Sequence, residues 1–292
     1  MNELTRISRG HALRGALLVL AAATVIQWSA ALVKPAFVAI GPSAASSWRF
    51  LLGALILLAL TRPKLRYWTR RQWFGALALG VTSALMNQCF YQAIARIPLG
   101  TSTAIEYMGP FLVAALAKRS LRHFAFVALA GLGVLALTRP GGGITLVGAL
   151  FAVLAGASWA AYSFASHRVG GNSTGFDGLA VAMGIAALLT LPFGVGATHV
   201  VLGHPYLLGR LALVGVMATV LGFGFELEAL RNLKPSIVSV LWALDPAVAF
   251  LVGWILLHEH VTSWDLVGLV CVVLAGIGVT YDAAHEDLKA PL

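Results

Sequence analysis

Arg96-Ile-Pro-Leu-Gly-Thr-Ser-Thr-Ala-Ile-Glu-Tyr-Met-Gly-Pro-Phe-Leu-Val-Ala-Ala-Leu-Ala-Lys-Arg119 is apolar for the length a bilayer demands, yet it holds a carboxylate, Glu106, near its middle. Gly109-Pro110 follows just beyond and reads as a break in the helix. An ionisable side chain at that depth costs at least ~2.5–3.5 kcal/mol on insertion scales, so it faces a cavity or a partner. Proline there leaves a backbone carbonyl that other helices or water must satisfy. A counterpart occurs in Pro235-Ser-Ile-Val-Ser-Val-Leu-Trp-Ala-Leu-Asp-Pro-Ala-Val-Ala-Phe-Leu-Val-Gly-Trp254, where Asp245 stands beside Pro246. Two spans that join a charge to a proline, one in each half of the chain, point to a working site where they meet.

The rest of the chain has the same character. Its 292 residues are 59% apolar and 11% charged, with a mean hydropathy of +0.87. Soluble domains carry about 25% charged residues, so this chain cannot coat a globular surface and is an integral membrane protein. The net charge of +9 lies in short loops between apolar spans. That pattern suits membrane orientation and not phosphate binding, so no nucleic-acid partner is expected. Cys89 and Cys271 sit inside apolar spans as small hydrophobes, and no disulfide framework is implied. Arg6, Arg9 and Arg14 precede an apolar run with no convincing cleavage site, which reads as a retained first helix.

Ten spans of membrane length are predicted, at 13–33, 44–61, 73–95, 99–117, 122–138, 144–167, 176–197, 207–229, 235–257 and 262–281. With the N-terminus inside, the cytoplasmic segments hold Arg6, Arg9, Arg14, Arg62, Lys64, Arg66, Arg70, Arg71, Lys118, Arg119, Arg122, Arg168, Arg231, Lys234 and Lys289. The other side holds only Lys34, Arg96, Arg139 and Arg210. This asymmetry puts both termini in the cytoplasm. Pro140-Gly-Gly-Gly143 divides the chain into two five-span halves, 1–142 and 143–292, and a shift of 136 residues brings Ala93 onto Ala229 and Pro110 onto Pro246. An odd number of spans per half inserts the second half upside down. The expected fold is therefore an all-α membrane protein of ten transmembrane helices in two inverted repeats. Such repeats place a binding site near the midplane and open it to either face by rocking, as a carrier requires.

The polar residues inside the spans are the candidates for that site. Glu106 and Asp245 stand out by depth and by their proline neighbours. Glu226 and Glu228, two apart on a helix, point to nearly opposite sides, and Glu226 is the deeper. A carboxylate held in such a site is suited to taking up and releasing a proton in each cycle. Lys34 and Glu228 fall near span ends, where snorkelling is the simpler reading. Arg49 lies about one turn inside its span, free to snorkel or to pair with a carboxylate. Asn87 and Gln88 divide between interhelical hydrogen bonding and substrate contact. Tyr91, Tyr107, Trp159 and Tyr162 are amphipathic companions. His258-Glu259-His260 has no further His or Cys at useful spacing, so it reads as a solvated turn and not a metal site. No hydrolase triad or phosphate loop is visible, so no enzyme activity and no cofactor is expected. A membrane-embedded enzyme pairing Glu106 with Asp245 would need a nucleophile or metal that the sequence does not offer.

These residues resemble the drug/metabolite transporter superfamily, specifically the ten-helix exporters built from two EamA-type repeats. The likeness is carried by Ile26-Gln27 through Lys34, Trp48-Arg49-Phe50, Met86-Asn87 with Phe90-Tyr91, and Ile97-Pro-Leu-Gly100 with Glu106 and Gly109-Pro110. It continues through Ala157-Ser-Trp-Ala-Ala-Tyr162, Glu226, Asp245-Pro246 and Leu257-His-Glu259. Within that group the chain looks most like the bacterial inner-membrane exporters of threonine and homoserine. Asp245 stands where that type has Glu, keeping the charge, and His258 where the repeat has Gly. The resemblance implies an exporter of amino acids or related small metabolites in the inner membrane; the buried carboxylates point to the proton as coupling ion, and a monomer or dimer is expected. Glu106, Glu226 and Asp245 would take the ammonium of a zwitterion, and Arg49 or Lys34 its carboxylate. Asn87, Tyr91 and Tyr162 would supply hydrogen bonds. A rival within the same class is an exporter of lipophilic cations, aromatic amino acids or nucleotide-derived metabolites, because Trp28, Trp159 and Trp242 suit a cation.

Overall fold

Backbone amides in hydrocarbon have no water to bond, so apolar runs of this length fold as helices that satisfy their own N–H and C=O groups. The computed structural model describes residues 2–118, 121–138, 144–169, 175–233 and 235–289, and among them the regular structure is entirely helical. The predicted division at 140–143 lies outside the described residues.

The helices run in order α1 (Asn2–Val33), α2 (Ala36–Thr61), α3 (Arg70–Ile94), α4 (Leu99–Lys118), α5 (Leu121–Leu137), α6 (Leu146–Val169) and α7 (Gly175–Val195). They continue with α8 (Thr198–Gly203), α9 (Pro205–Gly215), a π-helical segment (Val216–Gly222), α10 (Phe223–Asn232), α11 (Pro235–Trp242), α12 (Asp245–Leu257) and α13 (Ser263–Lys289). Among the described residues six stretches are long and apolar enough to cross a membrane: Arg14–Val33, Ala36–Thr61, Phe176–Val195, Pro205–Ala229, Ile237–Leu257 and Ser263–Tyr281. Phe124–Leu137 and Leu146–Ala161 are shorter apolar helices. Helices α3 and α4 carry polar side chains at Asn87, Gln88, Gln92, Thr101, Ser102, Thr103 and Glu106.

Three local features differ from the sequence expectation. Helix α2 begins at Ala36, well before 44, but is kinked at Gly41, whose φ of 76° and ψ of 161° suit only glycine, so its long arm starts at Pro42. Helix α4 is not broken at Pro110 but runs through it. Proline there supplies no N–H to the Glu106 carbonyl, and α6 comes in against that point. A Cβ on Gly156 would lie 2.5 Å from Glu106 O, and one on Gly109 would lie 2.1 Å from Gly156 O. The two backbones are in direct contact, as small residues at membrane helix crossings allow. The break falls instead in the later span, at Ala243-Leu244 between α11 and α12. Pro246 sits in the first turn of α12, where a missing N–H costs nothing.

Packing interleaves the chain. Helix α2 lies against α7, α5 against α13, and α3 against both α6 and α7. Helix α4 packs on α6 and α12, while α1 packs on α9, the π segment, α10 and α12. At one end Thr69 and Gln72 form a reciprocal cap on α3, beside the Trp68–Trp73 pair, whose ring centroids are 5.3 Å apart. Aromatic pairs of this kind sit at membrane interfaces.

Candidate functional site

Asp245 opens α12 and is buried, which brings its carboxylate to the break between two half-helices. Its Oδ2 accepts hydrogen bonds from Gln27 Nε2 of α1 at 2.8 Å and from Tyr107 OH of α4 at 2.9 Å. Its Oδ1 has no partner among the described residues. Glu106, also buried, precedes Tyr107 on α4, and Glu226 reaches in from α10, just after the π segment. Asp245 lies within electrostatic reach of both glutamates, and Tyr107 within reach of all three carboxylates. The ion pairs among the described residues are Arg14–Glu228, Arg231–Glu228 and Lys34–Glu259, so none of the three central carboxylates is paired with a base among those residues.

Beside this acidic group stands an aromatic wall. Trp159 of α6 meets Tyr107 edge-on at 4.8 Å between centroids and Trp242 of α11 at 6.4 Å. Phe111 stands 6.0 Å from Tyr107. The Trp242 Nε1 donor and Gln27 Oε1 acceptor are buried without partners among the described residues. Such a setting favours a positively charged group: oxygens to accept its hydrogen bonds, ring faces to lie against it, and no ion-paired lysine or arginine among the described residues.

Arg49, Asn87 and Tyr91 form a separate group between α2 and α3. The buried guanidinium donates from Nη2 to Asn87 Oδ1 at 2.5 Å, and Asn87 Nδ2 is held by Ser83 O at 3.0 Å. The Arg49 guanidinium carbon lies 4.6 Å from the Phe50 ring centre and 5.3 Å from that of Tyr91.

Lys34 belongs to neither group. It lies seven residues beyond Gln27, ~10 Å along the helix axis at 1.5 Å per residue. Its Nζ is 2.9 Å from Glu259 Oε1, and both Glu259 oxygens also accept the backbone N–H of Leu99, which opens α4, at 3.1 and 3.0 Å. The His258-Glu259-His260 turn thus supplies a helix cap and an ion pair. Glu228 turns to Arg14 and Arg231 at the end of α10, leaving Glu226 as the inner residue of the two. Gln88 is bound to Ser43 O at 3.2 Å, an interhelical role. The side chain of Tyr162 lies outside the described residues.

Two participants went unassigned in the sequence. Gln27 is the one amide in an otherwise apolar α1 span, the same cue that singled out Asn87. Tyr107, noted only as a companion, donates directly to Asp245.

The comparisons with known proteins agree with this architecture. Residues 146–281 match the EamA-like transporter family. The chain is 33% identical over 273 residues to the threonine/homoserine exporter RhtA of Salmonella typhimurium, covering 92% of each chain. It is 32% identical to RhtA of Escherichia coli K12, covering 93% of this chain and 92% of that one. It is 26% identical to the pseudopaline exporter CntI of Pseudomonas aeruginosa, over 91% of this chain and 95% of that one. One solved crystal structure superposes on 93% of this chain and 98% of its own with a TM-score of 0.57 at 18% identity, a likeness of fold alone. One residue in three shared across nine-tenths of the chain, together with an all-helical membrane fold, places it in the EamA-like transporter family of the drug/metabolite transporter superfamily.

Proposed function

We propose that this protein is a proton-coupled secondary exporter of amino acids or related ammonium-bearing metabolites, working by alternating access around the acidic group. The observation that carries this reading is that Glu106 and Glu226 both lie within electrostatic reach of Asp245, with no ion pair from any of the three to a base among the described residues. Three unneutralised carboxylates in a membrane interior are costly unless a cation or protons join them. An ammonium group and a proton competing for the same oxygens couple the two movements, because only one can be held at a time. The similarity to the threonine/homoserine exporters makes threonine and homoserine the first substrates to test.

The proposed frame is ten transmembrane helices in two inverted five-helix repeats, 1–142 and 143–292, in the bacterial inner membrane with both termini cytoplasmic. Supporting it, α1 packs on α9 and α10 as α6 packs on α3, and α2 packs on α9 as α7 packs on α3. That exchange is what a twofold relation between the halves produces. The basic residues of the N-terminal side support the orientation.

The test is counterflow and pH-gradient-driven export in proteoliposomes holding the purified chain. Labelled threonine and homoserine should exchange, and an imposed proton gradient should drive net movement. Glu106→Gln should insert normally and lose export; export at the wild-type rate in that variant would remove the proton role. A second reading, export of lipophilic cations, is favoured by the aromatic wall of Tyr107, Trp159 and Trp242. Exchange of such cations with no exchange of any amino acid would select it.

A further inference from the structure

The buried side-chain polar atoms without partners among the described residues fall into two groups, one mixed and one in which every atom can donate. The first, around the carboxylates, is Gln27 Oε1, Asp245 Oδ1 and Trp242 Nε1, of which two can only accept. The second is Ser46 Oγ, Arg49 Nε, Tyr91 OH and Thr219 Oγ1, every one of which can donate. Buried polar groups are almost always bonded, so two such sets in one membrane interior call for a cause.

We infer that Arg49, with the hydroxyls of Tyr91 and Thr219, is an anion subsite for the carboxylate of the transported molecule, which makes the substrate a zwitterion and not a simple cation. This rests on the export reading given above. Arg49 is 4% exposed and, among the described residues, has no carboxylate within 4.0 Å. Its partners are a neutral amide and two ring faces, which soften the charge but do not neutralise it. Asn87, fixed by Ser83 O, holds the guanidinium by Nη2 and leaves Nε free to donate. Thr219 comes from the π segment, which packs on α2. At the end of α9, just before that segment, a Cβ on Gly215 would lie 2.9 Å from Arg49 O, and a Cβ on Gly53 of α2 would lie 2.7 Å from Thr219 Oγ1. The same segment reaches α1, where a Cβ on Gly222 would lie 2.6 Å from Ile26, the neighbour of Gln27. The π segment therefore packs on both α1, which carries Gln27, and α2, which carries Arg49. Irregular turns of this kind recur at functional sites.

The test uses the purified full-length chain and its thermal stabilisation by three kinds of probe: free amino acids including threonine and homoserine, their methyl esters, and the matching amines without a carboxylate. Wild type should bind at least one amino acid about tenfold or more tightly than its ester or amine, the scale of a hydrogen bond to a charged group. Arg49→Gln should erase that preference. Tyr91→Phe removes a hydroxyl that has no partner among the described residues, so it should leave the melting temperature unchanged and still weaken the preference severalfold. Esters and amines that bind as well as the amino acid would overturn the subsite, as would a preference that survives in both variants. Stabilisation by organic amines alone, with counterflow of those amines, would also overturn it while leaving an exporter in place. Failure of the export reading itself would appear as no counterflow of any probe.

Discussion

Asp245 is held on one side only: Tyr107 and Gln27 both bond Oδ2, and Oδ1 is left over. Removing one member of a satisfied buried pair costs several kcal/mol, but replacing an uncompensated buried charge by a neutral group of the same shape is neutral or stabilising. Asp245→Asn should therefore keep or raise the melting temperature of the purified protein and abolish export. A residue retained for structure would do the reverse, losing stability along with transport. A drop of more than about 2 kcal/mol in stability would show that the carboxylate is a structural anchor. Glu106 and Asp245 were legible in the sequence because charge inside an apolar span is costly wherever it falls. Gln27 and Tyr107 were not, because a lone amide or phenol costs little and its partner lies 218 or 138 residues away. Lys34 was only half legible. Its position at a span end was plain, but its partner Glu259 was readable only as a solvated turn.

That turn shows how elements are joined. Helix α12 ends at His258 in the left-handed conformation, with φ of 53° and ψ of 35°, and the chain doubles back so that Glu259 N bonds Gly253 O at 3.1 Å. The carboxylate then lands on the first N–H of α4, where the positive end of the helix dipole stabilises a negative charge, and beside Lys34 at the end of α1. Gly253 makes room for it, since a Cβ there would lie 2.3 Å from Glu259 Oε2. Three separate elements are thus tied at one end of the bundle. The Lys34 and Glu259 side chains are 22% and 16% exposed, so solvent discounts the pair. A double-mutant cycle of Lys34→Met and Glu259→Gln should give a coupling of about 1 kcal/mol in thermal unfolding, and near-additive losses would mean that the contact is incidental. The sequence showed neither this tie nor the break at Ala243-Leu244. Proline at 246 is compatible with a continuous helix that starts late or with two half-helices, and only packing against α1 and α4 selects the second. The π segment had no cue at all, because Val216-Met-Ala-Thr-Val-Leu-Gly222 reads as an ordinary apolar run.

At the scale of the molecule, the all-helical membrane character and six of the apolar spans were legible because bilayer length and hydropathy are local properties of the chain. Which helices touch was not, since helices apolar on all sides mark no face. The contacts themselves run mostly between the proposed halves: α2 with α7, α5 with α13, α3 with α6 and α7, α1 with α9 and α10, α4 with α6 and α12. A boundary near 142 would then divide a repeat without dividing a folding unit. Residues 1–142 alone would leave Glu106 without the α6 and α12 faces that pack on α4, at ~2.5–3.5 kcal/mol for a charge on insertion scales. They would also lose most of the helix contacts that bury α1, α2 and α3. Expressed separately, 1–142 and 143–292 should each fail to accumulate as a monodisperse species in detergent. Expressed together, they should copurify and recover counterflow, because the surfaces that meet are complete once both are in the membrane. A stable, monodisperse 1–142 fragment would show that the first half closes its own core. Copurification without counterflow would mean that the covalent link is needed to bring Glu106 and Asp245 together.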